Sequence, residues 1–303
     1  MTIDLTALAK ALRDDINLRS TMKLLDESSD PESRPYFGAS QIKPMCDRQM
    51  FLDWRRATPM VTLSEDPEKR AEQIKKFGQL ARLFGRGHRE EPVTIDLLRP
   101  YFREIVTHEA DGSQIAISNF AGHFRGHLDG IGYDFEFGDI KIPGPMLLEI
   151  KTANEKSFTG TSVKGLFKTK EEHYAQQQEY MYHKDIPRAL YFVTCKNDDN
   201  IYPEFSELDT EYAESMMNRV VGVLSARSAP EKMEFGGRNN FYCKYFCDHT
   251  EVCLNNATPT VSCRTCSNFV IDGEDLRCRL HDIVLKNKVI AEACSDYQKV
   301  TIL

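Results

Sequence analysis

Residues 126–151 hold the side chains best suited to chemistry in this chain. They read GHLDG, a stretch of acidic and turn residues, then LLEIKT. Asp129 closes the first piece, and Glu149 and Lys151 stand two apart in the second. Side chains alternate along a strand, so Leu147, Glu149 and Lys151 share one face if LLEIKT is extended. Two carboxylates and a lysine converging at strand ends could hold a divalent cation beside a polarised water, which is equipment for cutting a phosphodiester bond. An E-x-K triplet alone is weak evidence, since an ordinary strand with solvated charges reads the same way. Its surroundings add weight. The apolar run Met146-Leu147-Leu148 leads into Glu149, and Asp129 ends another strand beside Gly130. Downstream, Gln176 and Tyr180 fall on one helix face at i, i+4.

Those residues need strands and helices to position them. Between 102 and 151, the segments FREIVTHE, QIAIS, HFRGHLDGIGYDFE and PMLLEIKT read as strands separated by turn signals. A long helix is expected over about 68–98, kinked or divided by Pro92. Residues 153–170 (ANEKSFTGTSVKGLFKTK) read as a Gly-, Ser- and Lys-rich loop beside the site. A helix over about 170–184, strands RALYFVTC and IYPEF around an NDDN turn, and a helix capped by Asp209 follow. Upstream, apolar residues from Leu5 to Leu25 recur at helical spacing, and the polar DESSDPESRP reads as a linker. A short helix beginning after Pro44 carries Cys46, and a Pro- and Glu-containing break spans 58–68. The pattern as a whole is α/β.

With 303 residues, the chain can bury a substantial core, in one main domain plus a smaller one. Its 41% hydrophobic and 28% charged residues are those of a globular protein. No apolar run approaches the roughly 20 residues that span a bilayer. The opening MTIDLTALAKALRDD lacks the apolar core of a signal peptide. A cytoplasmic location and no membrane partner are expected. The formal net charge of −7 argues against a broad DNA-coating surface but not against a nuclease, because binding follows local charge.

The set GHLDG, LLEIKT and HYAQQQEYMY resembles the PD-(D/E)XK nuclease superfamily in its RecB-like branch. Gly85-Arg86-Gly87-His88 matches the G-x-x-H element of that branch, and the resemblance covers about residues 77–195. It implies a restriction-endonuclease-like core, a central mixed sheet flanked by helices. It also implies that His88, Asp129 and Glu149, with the backbone carbonyl of Ile150, hold Mg²⁺ or Mn²⁺. Lys151 would position or activate the attacking water and stabilise developing charge, while Gln176 and Tyr180 would orient the lysine and contact DNA. Taken singly, His88 is a surface helix residue. Glu91, three positions later, could support the site from the same helix face, and His127 reads as structural.

Nine cysteines in a reducing compartment point to metal rather than disulfides. Cys243, Cys247 and Cys253 cluster near the C-terminus, and Cys46 stands alone upstream. Four thiolates suffice for a [4Fe–4S] cluster or a zinc ion. One cysteine before the core and three after it resemble the iron–sulphur nucleases of AddB and CRISPR-adaptation type, with Cys46-Asp47-Arg48 as their Cys-x-Arg element. These families space the first two C-terminal cysteines by two residues, whereas here three intervene. Cys263-x₂-Cys266, Cys278 and Cys294 make a second set, expected to hold zinc in a small Cys-rich C-terminal metal-binding module, with His281 able to replace one thiol. Cys195 is left over and is expected to pack as a small apolar residue.

Lys156, Lys164, Lys168 and Lys170 could track a phosphate backbone, with Arg82, Arg86 and Arg89 also available. Phe158 and Phe167 could stack on bases. Four segments are expected: an N-terminal helical part (1–67), a nuclease core (68–235), a cluster-cysteine segment (236–257) and a zinc appendage (258–303). The expected activity is hydrolysis of DNA, single-stranded or duplex with ends, as an exonuclease in recombination, repair or DNA processing. Recombination or replication proteins would be partners, in a bacterial or phage-infected cell. The alternatives are a structure-selective or nonspecific endonuclease, and a non-catalytic DNA-binding protein.

Overall fold

The computed structural model describes residues 4–29, 35–59, 61–233, 241–286 and 288–302. Much of the expected linker and the boundary at 235/236 lie outside the described residues. The helices are α1 (Leu5–Ser29), α2 (Asp47–Trp54), α3 (Pro67–Leu98), α4 (Glu155–Lys164), α5 (Leu166–Thr169), α6 (Glu171–Lys184), α7 (Thr210–Ser225), α8 (Phe241–Tyr245), α9 (Thr250–Leu254) and α10 (Lys288–Ala291). The strands are β1 (Phe37–Gly38), β2 (Phe102–Val106), β3 (Ala116–Asn119), β4 (Phe124–His127), β5 (Gly130–Phe137), β6 (Ile140–Ala153), β7 (Arg188–Cys195), β8 (Ile201–Glu207), β9 (Phe269–Asp272), β10 (Asp275–Cys278) and β11 (Ile283–Val284). Two compact units divide the chain: Met1–Ser33 with Pro59–Glu90, and Arg34–Thr58 with Glu91–Leu303. This grouping differs from the four expected segments, because the cysteine-rich C-terminus falls in one unit with the sheet.

In the first unit, α1 lies against the first part of α3. Thr21 Oγ1 donates to the Ile74 carbonyl at 2.8 Å, and Arg82 donates to Asn17 Oδ1 at 2.9 Å. Gly78 lets the backbones approach, since a Cβ there would sit 2.7 Å from the Asn17 carbonyl oxygen. α3 continues through Pro92, so the proline does not divide the helix. Proline removes one helical hydrogen bond, but Thr94, Ile95 and Leu98 beyond it are buried in the second unit and hold the last turns.

The second unit is mixed α/β. Its main sheet runs β2-β5-β6-β7-β8, with β6 and β7 parallel and the other pairs antiparallel. A parallel pair requires a crossover, and α4, α5 and α6 supply it. Here the expected loop over 153–170 is corrected to two helices. Asn154 caps α4 by accepting from the Ser157 N–H at 2.9 Å. Gly165, at φ 82°, turns the chain so that the Leu166 N–H meets Glu204 Oε2 at 2.8 Å. Two small sheets, β1-β4-β3 and β11-β10-β9, complete the strands among the described residues.

Apolar clusters cover both faces of the main sheet. Leu147 joins a cluster with Tyr180 and Met181 of α6 and Met216 and Val220 of α7. Leu148 and Ile150 join Ile95, Leu98 and Phe102 on the other face. Six of the eight residues of α2 are buried. Phe269, Leu276, Leu285, Ile290 and Val300 belong to the α2–α7 cluster, so the C-terminal segment shares the main core. Among the described residues, no helix is long and apolar enough to cross a membrane.

Candidate active site

Strand β6 carries the central residues. Met146 to Ile150 are buried in succession, because sheet neighbours flank the strand and clusters cover both its faces. Glu149 is therefore 0% exposed, and its carboxylate is ion-paired with Lys151, whose side chain remains 25% exposed at the strand end. Apart from that ammonium, neither Glu149 oxygen has a partner among the described residues. Asp129, between β4 and β5, accepts from the Ile150 N–H through Oδ2 at 2.7 Å. That bond fixes the Asp129 carboxylate against β6.

The electrostatics bring in a third carboxylate. Burial raises the pKa of Glu149, with Asp129 and Glu91 adding repulsion and Lys151 opposing. Burial and then Asp129 push Glu91 up to about 7, against the pull of Lys151. For Lys151 burial disfavours the charge, but Glu149 and Asp129 together outweigh it and raise the pKa. Lys151 is thus an ammonium at neutral pH. Three acids crowd one cation, an arrangement that a divalent ion would relieve.

Helix α6 lies over this group. Gln176 Nε2 donates to the Tyr180 hydroxyl at 2.9 Å, and both residues are buried. Burial first, then Glu149, raise the Tyr180 pKa, so the phenol stays protonated. Gly126 of GHLDG has a structural reason, since a Cβ there would collide with the Tyr180 ring. Two further residues adjoin the site without having been expected there. Tyr191 of β7 is the register partner of Glu149 and meets His173 Nδ1 at 2.8 Å. Burial, then Lys151, drive the His173 pKa well below that of a free imidazole. His173, Gln176 and Tyr180 stand at i, i+3 and i+7, a helical face legible in HYAQQQEYMY. Tyr191 carried no such signal, because its place depends on the β6–β7 register.

Other expected residues have different settings. His88 is exposed on α3 in the first unit, three positions before Glu91 along the helix. Arg86 pairs with Glu90 at 3.8 Å, and Arg82 is engaged with Asn17. Arg89 is exposed on the same helix. Lys156, Lys164 and Lys168 are exposed on α4 and α5, and Lys170 lies 3.9 Å from Glu172. Phe158 is half-buried and packs against the cluster of Leu166, Tyr191 and Val193. Phe167 is 51% exposed and packs edge-on against Tyr174 and Tyr212. His127 is exposed on β4.

Each cysteine set gathers around its own cleft. Cys46, Cys243, Cys247 and Cys253 line one, Cys46 as the N-cap of α2 with its sulfur accepting from Gln49 N–H at 3.4 Å. Burial pushes the Cys247 thiol up to about 12, with Cys46 and Cys243 adding to it. Arg48, buried in the same cleft, donates to the Pro230 carbonyl at 2.7 Å, but its Nε and Nη2 have no partner among the described residues. Four thiols and an unsatisfied guanidinium suit an anionic metal–thiolate centre. Cys263, Cys266, Cys278 and Cys294 line the other cleft with His281. Cys195 is buried at the end of β7.

No family model and no curated protein matches the sequence. Among solved structures, that of SSO0001 is 14% identical with a TM-score of 0.42, covering 82% of this chain and 98% of its own. The alkaline exonuclease LHK-Exo from Laribacter hongkongensis is 15% identical with a TM-score of 0.37, covering 62% of this chain and 86% of its own. Its complex with dAMP gives 16% and 0.35, over 63% and 90%. Likenesses this distant assign no activity, and the functional reading rests on this chain's own residues.

Proposed function

We propose that the chain is a metal-dependent deoxyribonuclease of the PD-(D/E)XK superfamily, RecB-like branch, acting on DNA ends as an exonuclease. The observation that carries this reading is the Glu149 carboxylate, fully buried with Lys151 as its sole partner among the described residues and crowded by Asp129 and Glu91. Three carboxylates crowded around one ammonium carry an excess of negative charge that is costly unless a further cation meets it. Their hard oxygens fit Mg²⁺ or Mn²⁺. Asp129, Glu149 and the Ile150 carbonyl would hold the ion. When bound, such an ion lowers the pKa of water and offsets the charge of the scissile phosphate.

The chain's own groups have separable tasks. Lys151 holds its proton and donates to the water and to a phosphate oxygen, placing positive charge where negative charge grows. Tyr180, oriented by Gln176, keeps its phenol protonated as a donor at the same face. The exposed lysines of α4 and α5 would meet the DNA backbone. The first cysteine set would hold a [4Fe–4S] cluster, whose net negative charge would meet Arg48, with zinc as the competing occupant.

End-labelled single- and double-stranded DNA should be digested by the wild type with Mg²⁺ or Mn²⁺ and spared with EDTA. Lys151→Ala should cut about 10²–10³-fold more slowly, the usual cost of removing one charge-stabilising donor. Equal digestion by both proteins, or by neither, would remove the assignment. Release of mononucleotides from labelled ends, rather than internal fragments, separates the exonuclease from the endonuclease.

A further inference from the structure

Arg55 and Arg264 are buried to 1% and 3% exposure. Arg55 donates to the carbonyls of Ala226 at 2.8 Å, Arg264 at 3.0 Å and Cys266 at 3.1 Å. Arg264 donates to those of Trp54 at 3.1 Å and Pro35 at 3.3 Å. Their guanidinium groups lie over aromatic rings, Arg55 on Phe51 and Phe269, Arg264 on Trp54. The Nε of each has no hydrogen-bond partner among the described residues. Carbonyl and ring contacts offset part of the desolvation of a guanidinium but leave its charge uncompensated. Two buried cations side by side call for an anion.

The second cysteine set stands beside them. Cys263 and Cys266 flank Arg264 on one 3₁₀ turn, and Arg55 grips the Cys266 carbonyl. Cys278 ends β10, held by pairing with Phe269 of β9. These three thiols and Cys294 line one cleft. His281 Nε2 lies 3.6 Å from Cys294 Sγ and 3.3 Å from Asp296 Oδ2.

We propose that Cys263, Cys266, Cys278 and Cys294 bind one zinc ion as four thiolates, with His281 outside the shell as a donor to Cys294. On binding, each thiol releases its proton to solvent, and four sulfur anions around Zn²⁺ leave a net charge of about −2. That charge balances Arg55 and Arg264. A shell of His281, Cys294 and Asp296, whose ligand atoms lie within 4.8 Å of one another, is the rival. Its two anions would leave a neutral centre, and all three residues are exposed. Replacing one thiolate by His281 would halve the compensation. The site fastens the C-terminal hairpin to α2 through the two arginines and does not depend on the nuclease reading.

The test is metal analysis of the full chain purified without chelator, with zinc-edge X-ray absorption. One zinc that survives Cys247→Ser, with only sulfur at about 2.3 Å, is expected. Cys278→Ser and Cys294→Ser should each lose that zinc equivalent, and His281→Ala should retain it with an unchanged all-sulfur shell. No zinc in the Cys247→Ser protein, iron in its place, or a nitrogen ligand that vanishes in His281→Ala overturns the proposal. The His281→Ala and Cys247→Ser arms decide the matter even if a thiol variant fails to fold.

Discussion

His173 shows what burial next to a fixed cation does to a single residue. Its imidazole meets Tyr191 on one side and Lys151 electrostatically on the other, and burial and the ammonium together keep it neutral. An imidazole titrates near 6.5 in an unfolded chain. Here the folded value lies lower, so below about 6.5 the unfolded state takes up a proton that the fold refuses. Stability therefore falls as pH drops from about 6.5 toward the folded value, at up to about 1.4 kcal/mol per pH unit. Urea unfolding of wild type and His173→Asn between pH 7 and 5 isolates this contribution. The wild type should lose more stability on acidification, and parallel pH slopes would show that the fold does not lower the His173 pKa. The acids were legible at this scale because Asp129, Glu149 and Lys151 have motif spacing. Glu91 and Tyr191 were less so, since one depends on where α3 ends and the other on strand register.

Elements were legible where apolar periodicity was strong and illegible where capping decided the outcome. The burial of Met146 to Ile150 follows from the apolar run read in the sequence. Residues 153–170 looked like a loop because Gly160, Gly165, serines and lysines dominate them, yet Asn154 and Gly165 are punctuation between two helices. Asn154→Ala should lower stability by about 1 kcal/mol, the usual cost of losing an N-cap. Calorimetry would show this, and an unchanged melting temperature would mean the cap is idle. Gly126 offers a sharper test of how β4 and α6 position the site. Gly126→Ala forces a methyl into the Tyr180 ring and against the Ala39 side chain. Overpacking of this kind costs about 1–3 kcal/mol, and displacing Tyr180 should also slow any DNA cleavage. A variant with wild-type stability and rate would mean that Tyr180 has room to move and that the packing over Glu149 is loose.

At the scale of the whole molecule, α2 is the piece around which the second unit closes. Arg48 reaches the Pro230 carbonyl, Gln49 accepts from Tyr242 at 2.8 Å, and Asp53 meets His249 at 2.8 Å. Arg55 and Trp54 then face Arg264 and Phe269. The sequence joined α2 to the C-terminal segment only by grouping Cys46 with Cys243, Cys247 and Cys253, because buried arginines have no periodicity to betray them. It also made 258–303 an appendage, whereas its apolar residues lie in the same cluster as Met216 and Val220. Truncation after residue 257 tests the difference. Removing Phe269, Leu276, Leu285, Ile290 and Val300 would strip one wall from that core, and each large apolar side chain is worth about 2–5 kcal/mol in such a place. Against a total of about 5–15 kcal/mol for a folded domain, the truncated chain should lose its cooperative unfolding transition and any nuclease activity together. If it instead melts cooperatively near the full-length temperature, the segment is a detachable appendage and the continuous core is wrong.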